Sequence, residues 1–294
     1  MRPWRLSALY SAGRVAMRRP DHAPPQGPKA ITSLQNDRVK LIRSLEMRKV
    51  RRETGLFVAE GASVLIMARD AGWVPKMLVF LAGTGSTGIT RDLVAWGMKS
   101  DAEILEVSEA VLAKIAAKEN PQSVLAVFEQ RWAHVPAAAD IGKDSLWVAL
   151  EAVRDPGNIG TIIRTADAVA ASGLVLIGNT VDPYSREAVR ASMGSIFNAR
   201  IVRLQPDAFL ALAKRWPGAI VGTHLDARYD FRALGYDRPT ILLMGSEGPG
   251  LTDELAKTCT ELVKIPMAGK LDSLNLAVAT ALLLYEARKS RLRL

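Results

Sequence analysis

The sequence predicts an α/β protein in two parts. A small α/β domain spans residues 30–130, and a second α/β domain with a mostly parallel sheet spans 146–294. Three observations carry this reading. From residue 56 onward, short apolar runs alternate with segments of helical period. The runs of the second half are continuously apolar, as in Leu-Trp-Val-Ala-Leu at 146–150, which marks strands buried on both faces. Between the two parts, residues 131–145 carry a proline and small residues but no apolar period, the composition of a linker.

In order along the chain, residues 1–29 read as a flexible basic extension that ends in the Pro-rich stretch 20–29. Arg2, Arg5, Arg14, Arg18 and Arg19 stand in its first 20 residues without an acid or a long apolar run. That excludes a secretory signal and leaves some transit-peptide character. The favoured reading is a disordered extension or an upstream start, with Met17 as the alternative first residue. Residues 36–53 predict a basic helix, with Val39, Ile42, Leu45 and Met47 near helical spacing. Its polar side carries Arg38, Lys40, Arg43, Arg48, Lys49, Arg51 and Arg52, the candidate RNA-binding residues. Strands then follow at 56–59, 76–81, 104–107 and 124–129, with helices at 62–71, 91–99 and 109–118. In the second part, strands fall at 146–151, 174–177, 201–204, 219–223, 241–244 and 262–265. Helices there fall at 159–170, 186–197, 207–215, 252–258 and 274–289. Ligands of such sheets bind beyond the carboxyl ends of the strands, so the loops there are the places to search.

The chain has 39 Lys and Arg against 30 Asp and Glu, a net charge of +9. Residues 1–55 hold 13 of the basic and only 4 of the acidic residues, which leaves the rest of the chain neutral. A surplus of this sign fits a polyanion, either nucleic acid or an anionic membrane. No apolar run reaches the ~20 residues of a membrane span. The one cysteine, Cys259, permits no intramolecular disulfide, and His22, His134 and His224 lie far apart, so neither an oxidising compartment nor a zinc site is implied. A cytoplasmic protein is expected.

Four stretches are candidates for chemistry. Gly83-Thr-Gly85-Ser-Thr-Gly88 matches a dinucleotide-binding pattern, with the acids Asp101, Glu103 and Glu106 about 20 residues on, although a Gly/Ser/Thr surface loop is the stronger reading. Arg154-Asp-Pro-Gly-Asn158 closes the first strand of the second part, with Asn158 placed to cap the next helix. Arg164 lies in that helix among Ile162, Ile163 and Ala166. It is either a ligand-facing group or an exposed arginine paired with Asp167 or Glu151. Gly245-Ser-Glu247-Gly248-Pro-Gly250 follows a buried strand, and three glycines in six residues let backbone approach a ligand. In Ile265-Pro-Met267 through Ser273-Leu274-Asn275, either Ser273 or Asp272 can cap the last helix, whose Leu276, Val278, Ala279, Leu282 and Leu283 read as core. Asn275 would then lie in its first turn.

At these loops the sequence resembles the SpoU/TrmH-type RNA ribose 2′-O-methyltransferases of the knotted SPOUT class. The match is Asn158 through Arg164, Gly245-Ser-Glu247-Gly-Pro-Gly250-Leu, and Ile265-Pro-Met267 through Ser273-Leu-Asn275. Arg190-Ala-Ser-Met-Gly-Ser-Ile-Phe adds a fourth stretch. The first part resembles the family's RNA-binding module through Phe57-Val-Ala-Glu60-Gly61 and Glu119-Asn-Pro121-Gln-Ser-Val.

The resemblance implies a deep trefoil knot, S-adenosylmethionine as cofactor, ribosomal or transfer RNA as partner, and a homodimer with the site at the subunit interface. Arg164 matches the family's essential arginine. An arginine stays protonated, so its role as a base and its role as a phosphate clamp are both open. Asn158, Glu247, Ser273 and Asn275 match the catalytic polar positions. Thr223, Leu243, Gly245, Glu247, Gly250, Ile265, Met267, Leu274 and Asn275 fall on the cofactor wall, and no metal is implied. The alternatives are a non-catalytic RNA-binding protein on the same fold and, more weakly, a dinucleotide-binding protein using Gly83–Gly88.

Overall fold

A computed structural model describes residues 27–116, 122–271 and 273–292. The basic extension up to residue 26, the Glu119-Asn-Pro121 match and Asp272 lie outside the described residues.

The first part opens with β1 (Lys29–Ile31), α1 (Asp37–Ser44) and α2 (Arg48–Thr54), followed by β2 (Leu56–Glu60) and α3 (Ala62–Asp70). It continues through β3 (Met77–Leu81), α4 (Gly88–Lys99), β4 (Glu103–Val107), α5 (Glu109–Ile115) and β5 (Val124–Glu129). Its five strands lie in the order β1-β4-β3-β5-β2, with β5 antiparallel to both neighbours. Two of these elements differ from the sequence prediction. β1 has three residues, too few to show a period, and is not among the strands the sequence predicts. The single helix at 36–53 is two helices, broken at 45–47, where Arg51 Nη1 donates to the Leu45 and Glu46 carbonyls at 2.8 Å each. Those carbonyls are freed by the end of α1 and find this side chain in place of a further helical turn.

The second part runs β6 (Leu146–Glu151), α6 (Pro156–Ala168), β7 (Gly173–Ile177), α7 (Arg186–Ala191), β8 (Ile201–Leu204) and α8 (Pro206–Lys214). It ends with β9 (Ala219–Thr223), β10 (Tyr229–Asp230), β11 (Thr240–Met244), α9 (Asp253–Ala256), β12 (Glu261–Lys264) and α10 (Leu276–Arg288). The strand order is β10-β12-β9-β11-β6-β7-β8, and every neighbouring pair is parallel, as the apolar runs required. All strand carboxyl ends therefore lie on one edge. Among the described residues no helix is long and apolar enough to cross a membrane.

The two parts share one hydrophobic cluster, which joins Phe57, Leu65 and Phe128 of the first to Val148, Leu150, Ile162 and Leu176 of the second. At the seam Phe57 lies 4.7 Å from Tyr184 and Trp73 meets Phe197 edge-on at 5.1 Å, while Trp73 Nε1 donates to the Phe197 carbonyl at 2.7 Å. Arg186 crosses in the opposite direction. Its Nε lies 2.7 Å from Glu46, and Nη1 donates to Glu60 and to the Ile115 carbonyl.

Arg51 corrects an expectation. It is 4% exposed, and its Nε donates to Asp182 at 2.7 Å. Its Nε and Nη1 are thus engaged inside the seam, and the buried side chain cannot face RNA. Of the other basic residues named for RNA, Arg38 pairs with Glu103 at 2.7 Å, Lys40 with Asp37 at 3.6 Å and Lys49 with Glu53 at 3.9 Å. These pairs are solvated and leave their cations outward. Arg43, Arg48 and Arg52 are exposed.

Candidate functional site

β6 delivers the chain to a sharp exit at Ala152, whose φ is 49°. Asp155 then caps α6 by accepting from Asn158 N at 2.6 Å, and Pro156 fills the first helical position with its preset φ. Asn158 was expected to be this cap. It stands inside the first turn instead, so its amide is released from capping and reaches the neighbouring loop.

That loop follows β11, the strand next to β6. Ser246 N donates to the Gly250 carbonyl at 3.1 Å and Gly250 N returns to Ser246 at 3.3 Å, pinching residues 246–250 into a tight turn. A Cβ on Gly245 would collide with the Gly250 carbonyl and the Leu251 nitrogen, so only glycine fits beneath the turn. Gly250 itself has φ 74°. Glu247 occupies the tip. Asn158 Nδ2 donates to its Oε1 at 3.0 Å, and Arg154 N donates to its Oε2 at 3.2 Å. Partial burial pushes the Glu247 carboxyl up. The Asn158 amide and the backbone N–H groups of Glu247, Arg154 and Asp155 outweigh it and hold the carboxyl below its ordinary value.

The third loop leaves β12 and runs to α10. The expected caps, Ser273 or Asp272, give way to Asn275: its Oδ1 accepts from Ala277 N at 2.9 Å and Val278 N at 3.3 Å. Ser273 stays exposed in the loop. Asn275 Nδ2 donates to Asn158 Oδ1 at 2.9 Å. Three loops far apart in sequence thus meet in one hydrogen-bonded chain, Asn275 to Asn158 to Glu247. Arg164, on α6, makes no hydrogen bond to it. It is exposed and makes no ion pair among the described residues. The pairing partners considered for it are engaged elsewhere: Glu151 accepts from Thr252 N at 2.9 Å, and Asp167 from Asn198 Nδ2 at 3.2 Å.

β12, β9 and β11 are adjacent, so their carboxyl ends form one wall. Gly245, Gly250 and Glu247 lie on its first loop, and Ile265, Met267, Leu274 and Asn275 on the second. Thr223 ends β9, its hydroxyl 3.9 Å from Met244 Sδ. Leu225, Met267, Leu271 and Leu274 remain exposed beside these loops, so apolar surface lies next to their backbone. Leu243 needs a correction: its side chain is wholly buried in the core of the opposite sheet face, so only its backbone borders the wall. Among the described residues no cluster of three or more His, Cys, Asp or Glu could hold a metal.

Two further sequence readings change. On α10, Leu276 and Leu283 are core, but Val278 and Leu282 are 49% and 40% exposed and continue to Tyr285 as one apolar stripe. The Gly83–Gly88 loop engages one of its three candidate acids itself: Gly83 N donates to Glu106 Oε1 at 3.1 Å.

Two family models match the chain. The SpoU rRNA methylase family model matches residues 145–285, and the MRM3-like substrate binding domain model matches 36–126. The 23S rRNA (uridine(2479)-2′-O)-methyltransferase of Streptomyces viridochromogenes is 32% identical over 83% of this chain and 86% of its own. The 23S rRNA (guanosine(2553)-2′-O)-methyltransferase of Bacillus subtilis is 29% identical over 88% of this chain and 99% of its own. The crystal structure of an AdoMet-bound rRNA methyltransferase from Sinorhizobium meliloti superposes with a TM-score of 0.82 at 44% identity, over 90% of this chain and 99% of that one. The chain belongs to the SpoU/TrmH family of RNA 2′-O-methyltransferases, with an MRM3-like domain ahead of its SpoU domain.

Proposed function

We propose that this protein transfers the methyl group of S-adenosylmethionine to the ribose 2′-hydroxyl of a nucleotide in structured RNA, ribosomal RNA ahead of transfer RNA, in the cytoplasm. The observation that carries the proposal is the chain from Asn275 through Asn158 to Glu247, which ties the three loops of the carboxyl edge together. S-adenosylmethionine supplies an electrophilic methyl on a cationic sulfur, so the protein has to position groups and manage one hydroxyl proton. On this reading residues 245–251 and 265–275 are the cofactor-holding turns of a trefoil knot. Leu225, Met267 and Leu274 offer them an apolar lining. Glu247, kept ionised by its donors, would set a negative charge on the loop that holds the cofactor, where it favours a cationic sulfur. Asn158 fixes the orientation of that carboxylate, and Asn275 fixes Asn158. Arg164 grips the neighbouring RNA phosphate through its planar fork and lowers the cost of ionising the hydroxyl. Ser273 adds a hydroxyl to the same loop.

The exposed stripe Val278, Leu282 and Tyr285 on α10 is the surface a second copy would cover, which makes the working form a homodimer. Lys40, Arg43, Arg48, Lys49 and Arg52 on α1 and α2 and their flanks face the RNA.

The test is incubation of the purified protein with labelled S-adenosylmethionine and ribosomal RNA from a strain lacking the gene, followed by nuclease mapping. Label on one ribose supports the reading. Cofactor binding with no label in ribosomal or transfer RNA removes it and leaves the non-catalytic alternative.

A further inference from the structure

Arg203 stands on β8, one residue before the strand ends, with its guanidinium 3.9 Å over the Trp132 ring. It is exposed, and among the described residues it has no hydrogen bond or ion pair. Arg52, on α2 of the first part, is likewise exposed and unpaired. Arg48 gives one Nη to the Thr180 carbonyl at 2.8 Å and keeps its other donors. The acid in their midst, Asp182, is 5% exposed and already occupied by Arg51 at 2.7 Å and by Tyr184 N at 3.0 Å. The three cations feel one another. Partial burial of the guanidinium, though the residue as a whole is exposed, is the main cause that lowers the Arg203 pKa; Asp182 opposes it, and Arg48 and Arg52 add to the lowering.

Thr180 follows the carboxyl end of β7, and Arg203 stands at the carboxyl end of β8, so this cluster shares its edge of the sheet with Asn158 and Glu247. β8 is two strands from β6, or about 10 Å across the sheet. Trp132 is itself held by the seam: its ring meets Tyr184 at 5.2 Å, and its Nε1 donates to Gln130, whose amide reaches the Arg51 carbonyl. A guanidinium stacked on a fixed indole has its plane set in advance and its N–H edge turned outward, the preparation that bidentate phosphate contact rewards. Covering the indole face would need one arginine. It would not gather two more around a neutralised aspartate, where like charges repel.

We propose that Arg48, Arg52 and Arg203 form a seat for the RNA phosphate backbone at the junction of the two domains, with Trp132 as its rigid support. The proposal rests on RNA being the substrate. It adds that the catalytic domain supplies part of the docking surface, beyond the basic helices of the first domain.

The experiment uses the full chain and fluorescein-labelled oligouridine, with affinity read by anisotropy between about 50 and 200 mM salt. Arg203→Gln is expected to lower the slope of log affinity against log salt by about 0.7, and Arg48→Gln with Arg203→Gln by about 1.4, one phosphate contact each. Arg203→Lys keeps the charge and is expected to keep the slope. A wild-type slope in both Gln variants overturns the seat. So does loss of slope and of melting temperature together in Arg203→Lys, which would assign Arg203 to covering Trp132. Methyl transfer to ribosomal RNA, measured in parallel on the wild type, separates the two readings. Transfer with unchanged slopes removes the seat alone, whereas absent transfer with Arg203-dependent binding removes the enzymatic reading alone.

Discussion

Asn275 donates its amide to Asn158 across 117 residues of chain, at 2.9 Å, while its carbonyl oxygen caps α10. One side chain thus starts a helix and orients the group that holds Glu247. The two duties can be separated. Asp at this position is as good a cap but has no N–H for Asn158. Asn275→Asp is expected to melt within about 0.5 kcal/mol of wild type and to lose methyl transfer tenfold or more. Asn275→Ala loses the cap as well, at about 1 kcal/mol. Thermal melts alongside initial rates of transfer read both, and equal activity of Asn275→Asp and wild type would deny the orienting role.

Arg164 is exposed and unpaired, so its removal should cost the fold little. Arg164→Ala is expected to stay within about 0.5 kcal/mol of wild-type stability and to bind S-adenosylmethionine normally. Its rate of methyl transfer should fall by two orders of magnitude or more, about 2.7 kcal/mol in the barrier. Calorimetric titration of the cofactor and a single-turnover assay decide the matter. A wild-type rate would remove Arg164 from the chemistry.

The Glu247 carboxyl has its pKa lowered in the folded protein, because its donors outweigh partial burial. A lowered folded pKa means that its contribution is complete above the unfolded carboxylate value of about 4.3 and is lost as pH falls through the lower folded one. Cofactor affinity is therefore expected to be flat on its acidic side down to pH values below the ordinary carboxylate range. Glu247→Gln should bind S-adenosylmethionine more weakly than wild type throughout the neutral range, the two converging only at pH values below the folded carboxylate's own pKa. A wild-type acid limb near neutral pH that vanishes in Glu247→Gln would contradict this assignment.

Asp182→Ala leaves the Arg51 guanidinium buried without its counter-charge, at a cost of about 3–5 kcal/mol. Chemical denaturation of the variant measures it. Arg52→Gln, one residue along the same helix but exposed, is expected to change stability by less than about 0.5 kcal/mol. Equal stability losses would erase the distinction between these neighbouring arginines.

The contrast between Arg51 and Arg52 also marks the reach of the sequence. Both belong to one basic run. What separates them is Asp182, 131 residues away from Arg51, and no local pattern records that contact. Strands such as Leu146–Glu151 were legible because a buried parallel strand has to be apolar throughout. The Asp155 cap was legible as well: Asp before Pro is a helix-start signal, and reading it as a plain turn displaced the cap to Asn158. The exposed stripe on α10 was hidden for the opposite reason. Val278 and Leu282 have the composition of a core, and only the placement of the sheet shows which side of the helix it covers. At the site, Asn158, Glu247 and Asn275 could be named singly from their motifs, but their direct contact with one another is a product of the fold.

The shared seam of Phe57, Trp73, Tyr184 and Phe197 has a consequence for how this architecture can be rearranged. A substrate-recognition module joined by a loose tether can be exchanged for another at little cost. Here the front module packs its aromatic rings onto the rear one, and Arg186 reaches back into it. A grafted front module would therefore have to bring a surface that fits Tyr184, Phe197 and Arg186 of the rear one. Transplanting residues 30–130 alone would trade one RNA preference for an exposed, unmated face.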